Sequence, residues 1–132
     1  MIFVDTNYFL RFFLKDNQNQ CKIAQKLFQQ ASIGKIKLFT SIIVFFEVYW
    51  VLKNIFSEKD PKVFSILFLI LDMSFIQIPK RDLLKDCLTN IEFYDFDMED
   101  AYNAIYALKN KTLGFKTFDK KLLKKFNLLN SN

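Results

Sequence analysis

The stretch Ile2-Phe3-Val4-Asp5-Thr6-Asn7 decides how this chain is read. Phe3 and Val4 favour a pleated strand, because branched and aromatic side chains pack well on that surface. Three apolar residues in a row, without alternation, predict a central strand buried on both faces. Asp5 then stands at the carboxyl end of the strand, where open α/β sheets bind ligands. It can equally cap the helix that follows, since a carboxylate accepts from the free amides of a first turn. The balance shifts towards a ligand role if further acids stand at equivalent places along the chain.

Composition sets the bounds. The chain has 132 residues, 52% of them hydrophobic, with 17 Phe. That is enough apolar surface for a real core, so disorder is not expected and residues 1–132 read as a single domain. The formal charge of +5 permits a polyanionic partner without requiring one. The longest largely apolar run, Val63 to Leu71, is too short to cross a bilayer. No basic region precedes an apolar core at the start, so no signal peptide and no membrane contact are expected. Cys21 and Cys87 lack metal-site spacing and read as two buried thiols in a reducing, cytoplasmic setting.

The absences are equally informative. Without histidine the chain cannot build a Ser-His-Asp or Cys-His system or a histidine metal site. Gly34 and Gly114 are the only glycines, too few for a loop that cradles phosphates. An enzyme made from this sequence must use carboxylates, lysines or hydroxyls, together with a metal ion.

Hydrophobic periodicity predicts helices over 8–14, 19–33, 42–55, 61–71, 81–90, 101–108 and 120–126. Gly34 stops the second, Thr40-Ser41 caps the third, and Asp60-Pro61 opens the fourth. Short strands are predicted at the start and over 36–39, 75–78 and 115–117, with a further edge strand at 128–129. This alternation predicts an α/β fold, with a parallel sheet of four to five strands wrapped by helices on both sides.

Three further positions answer Asp5. Glu47 is the only charge before Lys53 in a helix that is apolar almost all round. A carboxylate there is costly unless it is paired or binds a cation. Asp95, Asp97, Glu99 and Asp100 crowd the start of the helix at 101–108. Helix dipole and capping account for most of that crowding. Asp100 is preferred as the inward acid, one turn before Ala104, with Asp97 as its competitor. Asp119 stands at a strand-to-helix junction, as Asp5 does. If the first and fourth strands are neighbours, these acids converge. Their mutual repulsion then favours a divalent cation, and hard oxygen ligands point to Mg²⁺ or Mn²⁺. Lys109, Lys111, Lys116, Lys120, Lys121, Lys124 and Lys125 crowd the same end, either as a solvated face or as a grip on a polyanion.

Four motifs, in order, resemble those of the PIN domain, the nuclease fold of VapC-type toxins in toxin–antitoxin modules. They are Val4-Asp5-Thr6-Asn7, Phe45-Phe46-Glu47-Val48, Asp100-Ala101-Tyr102-Asn103-Ala104 and Thr117-Phe118-Asp119-Lys120-Lys121-Leu122. The resemblance spans nearly the whole chain and implies a three-layer sandwich around the sheet. It implies a metal-dependent endoribonuclease in which Asp5, Asp100 and Asp119 ligate Mg²⁺ or Mn²⁺. Glu47 is then a further ligand or orients the attacking water. Thr6, Asn7 and Thr117 would hydrogen-bond around the ligands, and Lys116, Lys120 and Lys121 would contact the RNA backbone. It also implies a small antitoxin partner and a homodimer, with Phe12, Phe13, Trp50 or Phe64 as candidates for either contact.

Other classes remain open. A catalytically silent PIN-like module would bind RNA or protein without cutting. A receiver-like signalling domain wants a late lysine where Asp119 stands. A phosphatase with an aspartate nucleophile wants Asp-x-Asp, and Asn7 holds the second position here.

Overall fold

A computed structural model describes residues 1–132. The chain forms two compact units, Met1–Lys80 and Arg81–Asn132.

The first unit holds the whole sheet. Its order is β1 (Ile2–Phe3), α1 (Thr6–Leu14), α2 (Gln18–Ser32), β2 (Leu38–Phe39), α3 (Ile42–Phe56), α4 (Pro61–Leu71) and β3 (Ile76–Gln77). The strands are all parallel in the order β1-β2-β3, and each crossover uses two helices. Ile2 pairs with Leu38 and Phe3 with Phe39, and these pair in turn with Ile76 and Gln77. The strands are short, so hydrogen bonds beyond them matter. Val4 N–H donates to the Phe39 carbonyl at 2.8 Å and Thr40 N–H to the Gln77 carbonyl at 3.0 Å.

Each helix begins on a cap that the sequence supplies. Asn17, Ser41 and Asp60 accept from amides of the first turns of α2, α3 and α4, and Pro61 follows Asp60 at the first helical position. Gly34, just past α2, has φ +82°, a left-handed conformation that glycine adopts without strain. The core of this unit is aliphatic and aromatic: Phe9, Phe28, Leu38, Phe45, Tyr49, Leu52, Leu67, Ile70 and Ile76 are buried. Phe28 gathers Phe9, Phe12 and Phe75 at ring separations of 5.1–6.1 Å.

The second unit is helical: α5 (Arg81–Tyr94), α6 (Met98–Lys109) and α7 (Lys120–Ser131). Leu84, Cys87, Leu88, Met98, Ala101, Ala104 and Phe126 are buried. Both cysteines are free and buried, as expected of structural thiols.

Four expectations are corrected. The sheet has three strands, not four or five, so there is no fourth strand beside the first. Residues 115–117 are not a strand, and side chains hold the backbone on either side of them in local bonds. Thr112 Oγ1 donates to the Gly114 carbonyl at 2.6 Å, and Asp119 N–H donates to Thr117 Oγ1 at 3.0 Å. Such side-chain bonds give the backbone an alternative to a ladder. Phe115 meanwhile stacks on Phe126 at 4.6 Å. Leu128 and Leu129 extend α7 instead of forming an edge strand. Finally, β1 is an edge strand, and Ile2 and Phe3 are exposed. Only Val4 is buried, because β2 takes the centre.

Candidate active site

In the first unit, Asp5 follows β1 directly and caps α1, with Oδ1 accepting from Thr6 N–H at 2.8 Å. The preceding residue is anchored twice, because the Val4 carbonyl also accepts from Thr40 Oγ1 at 2.8 Å. Asp5 is therefore held at the end of a fixed strand while its side chain is exposed. Capping and ligation are compatible here, since the cap uses Oδ1 and a carboxylate has a second oxygen.

Glu47 comes from α3, the helix that follows β2, the strand paired with β1. Thr6 Oγ1 donates to Glu47 Oε2 at 3.1 Å. Thr6 is 7% exposed and serves both acids, its amide to Asp5 and its hydroxyl to Glu47. Glu47 itself is exposed, not enclosed in an apolar helix. The buried residues of α3 are Val44, Phe45, Phe46, Val48, Tyr49 and Leu52. Ile43, Glu47 and Trp50 share an exposed strip at helical spacing. A desolvation cost therefore does not explain Glu47, and its bond to Thr6 does. Lys53 is not its partner in the strip: the ammonium lies over the Tyr49 ring, 5.2 Å from the centroid. Asn7, next to Thr6 in α1, lines an open cleft with Tyr8, Arg11, Gln20 and Ile23.

In the second unit, Asp100 is in the first turn of α6, half-buried, after Asp97 at the cap position. Asp97 makes no capping bond, so its carboxylate is not used up by the helix. Burial raises the Asp100 pKa first, followed by the negative charges of Asp97, Asp119 and Glu99, and the Lys125 ammonium opposes them. Asp97, Asp100 and Asp119 therefore sense one another, and the sequence alternative between Asp97 and Asp100 becomes a neighbourhood that contains both. Asp119 caps α7, with Oδ1 accepting from Leu122 N–H at 3.0 Å. Thr117 supports it through the Asp119 amide. Lys125, not singled out from the sequence, lies 5.8 Å from the Phe96 ring centroid and donates to the Asp95 carbonyl.

Of the lysine crowd, Lys109 is engaged with Asp86 at 2.6 Å. Lys116, Lys120 and Lys121 are exposed. Among the expected aromatic contact residues, Trp50 is 37% exposed, while Phe12 packs on Phe13 and Phe28. Neither unit by itself gathers three carboxylate or thiol side chains at metal-binding spacing. The donor chemistry nevertheless suits a hard divalent cation, since the acids near Asp100 repel one another and offer only oxygen.

A parallel sheet with two motif acids following its strands, and a helical unit carrying two more, make this an α/β protein. The chain belongs to the PIN domain family, whose model matches residues 2–127. PIN domains are typically nucleases and generally use divalent metal ions. No curated protein and no solved structure matches the chain. No helix is long and apolar enough to cross a membrane.

Proposed function

We propose that this chain is a metal-dependent endoribonuclease, working as one domain and serving as the toxin of a type II toxin–antitoxin pair in the cytoplasm. The observation that carries the reading is the double role of Thr6, which joins Asp5 and Glu47, the acids of the first two family motifs. A helix cap alone would need only the amide bond to Asp5.

Asp5, Asp100 and Asp119 are the residues that would hold Mg²⁺ or Mn²⁺, and Glu47 would either add a ligand or orient the attacking water. The bound ion would supply positive charge to the phosphoryl oxygens and acidify that water. Thr6 fixes the direction of Glu47, and Thr117 fixes the backbone of Asp119. Asn7 contributes a hydrogen bond beside Asp5. Lys116, Lys120 and Lys121 hold phosphates of the RNA backbone, a salt-sensitive grip. Cleavage leaves a 5′-phosphate and a 3′-hydroxyl. The antitoxin covers the exposed α3 strip with an apolar segment laid on Trp50, beside Glu47, and a second copy of the chain forms a homodimer.

The test is the chemistry of the new ends. Fragments carrying a 5′-phosphate are degraded by an exonuclease that requires that group. Fragments that resist it, and instead carry a 2′,3′-cyclic phosphate, would overturn the reading. Binding of RNA without any cutting would identify the silent module.

A further inference from the structure

Apart from Tyr49 and the cysteines, the buried residues are apolar with two exceptions, Thr6 at 7% and Thr40 at 5% exposed. Both serve the surroundings of Asp5. Thr6 bonds to Asp5 and Glu47, and the Thr40 hydroxyl donates to the Val4 carbonyl at 2.8 Å. That carbonyl belongs to the planar peptide that enters Asp5, so holding it fixes where the Asp5 backbone starts. A backbone donor is missing at this point. Ile2 N–H and Val4 N–H donate to the Lys37 and Phe39 carbonyls. In a continuing parallel ladder the Ser41 N–H would reach back to the Val4 carbonyl. Ser41 is instead the cap residue of α3, where the chain leaves the sheet. The Thr40 side chain supplies the bond in its place, while its amide donates to the Gln77 carbonyl at 3.0 Å. One residue thus ties the ends of all three strands.

Val4 is 1% exposed, so water is no ready substitute for the hydroxyl. A buried carbonyl left unpaired is costly, and the strand end would have to shift to recover a partner. Asp5 would shift with it. We propose that Thr40 is a positioning residue: its hydroxyl holds the Val4–Asp5 peptide so that the Asp5 carboxylate is preorganised for a divalent cation. Thr40 acts through the backbone and touches neither the ion nor the RNA. Groups that orient a ligand from behind tune metal affinity as the ligands themselves do. The inference rests on the reading of Asp5 as a metal-holding acid, and it adds the residue that fixes where that acid stands.

Mn²⁺ binding is measured on the purified chain without RNA, by titration followed through the paramagnetic resonance signal of the free ion. Thr40→Val keeps the shape and removes the donor, and it weakens Mn²⁺ binding about fivefold. Thr40→Ser restores the hydroxyl and with it the wild-type affinity. Thr40→Cys has the size of serine but only a weak donor, so it binds Mn²⁺ less tightly than Thr40→Ser. That pair carries the test if Thr40→Val does not fold. Val63→Ala removes core volume in α4 and controls for a general loss of stability, and it leaves the affinity unchanged. Wild-type affinity in a folded Thr40→Val chain, or equal affinity in Thr40→Cys and Thr40→Ser, overturns the positioning role and leaves the nuclease reading intact. A loss in Val63→Ala as large as in Thr40→Val overturns it too. A wild-type chain that binds no Mn²⁺ overturns the metal reading and the inference with it.

Discussion

The Thr6 hydroxyl donates to Glu47 Oε2 across 3.1 Å, joining residues 41 positions apart. The same residue gives its amide to Asp5. One buried threonine therefore bonds to two exposed carboxylates, and replacing its side chain should act on activity through Glu47 alone.

Thr6→Val keeps the shape and the amide but removes the hydroxyl. Loss of one such bond costs about 1 kcal/mol, so catalytic efficiency should fall about fivefold, while the protein stays folded. Thr6→Ser, which restores the hydroxyl, should recover most of the rate. Steady-state kinetics on a labelled RNA checks both variants.

Asp100 is held in an unfavourable place. Its pKa is raised by burial and by Asp97, Asp119 and Glu99. A raised folded-state pKa contributes stability below the unfolded carboxylate range, and that contribution is lost as pH rises through the folded value. At neutral pH the charge works against the fold. Asp100→Asn should therefore melt slightly higher than wild type at pH 7, with the gap closing towards pH 3, while cleavage is lost. Thermal unfolding at both pH values measures this.

Much of the framework was legible because helices announce themselves locally. Ser41 and Asp60 cap where expected, and the buried faces follow the apolar spacing. The three strands were legible where they lie, at the start and within 36–39 and 75–78, but their order in the sheet was not. Ile2-Phe3 reads as a central strand, yet it is an edge, because two residues cannot reveal which neighbours they pair with. Thr112 and Thr117 hold the backbone on either side of 115–117 in local turns, through the Gly114 carbonyl and the Asp119 amide. The four candidate acids were named by motif, but the exposure of Glu47 and its bond to Thr6 depend on a long-range contact. Lys125 was hidden in a run of similar lysines, and only its bond to the Asp95 carbonyl sets it apart.

The caps offer a way to separate structure from chemistry at Asp119. Asparagine caps as well as aspartate, whereas alanine costs about 1 kcal/mol. Asp119→Asn should keep wild-type stability and Asp119→Ala should lose about that amount, while both lose cleavage. Urea unfolding beside an RNA assay distinguishes the two roles.

Cys87 should be inert. Its pKa is pushed up from 9.0 to about 12, by burial first and then by the Asp86 charge, so almost none of it is thiolate at pH 8. A thiol reagent should label the native chain slowly at Cys87 and rapidly after denaturation. Because the folded pKa is the higher one, its contribution to stability is complete below pH 9 and is lost as pH rises towards 12. Alkaline unfolding should be delayed in Cys87→Ala only if the cavity left by the thiol costs less than this titration.

The central claim is that the motif carboxylates hold a metal that cuts RNA. Its most direct measurement is cleavage of end-labelled RNA by the purified chain with Mn²⁺ or Mg²⁺, with EDTA, and with Asp5→Asn, which preserves the cap. The expected result is cutting that needs the metal, stops in EDTA, and falls more than about 100-fold in a folded Asp5→Asn protein. Cutting that persists in EDTA, or at full rate in Asp5→Asn, would contradict the account.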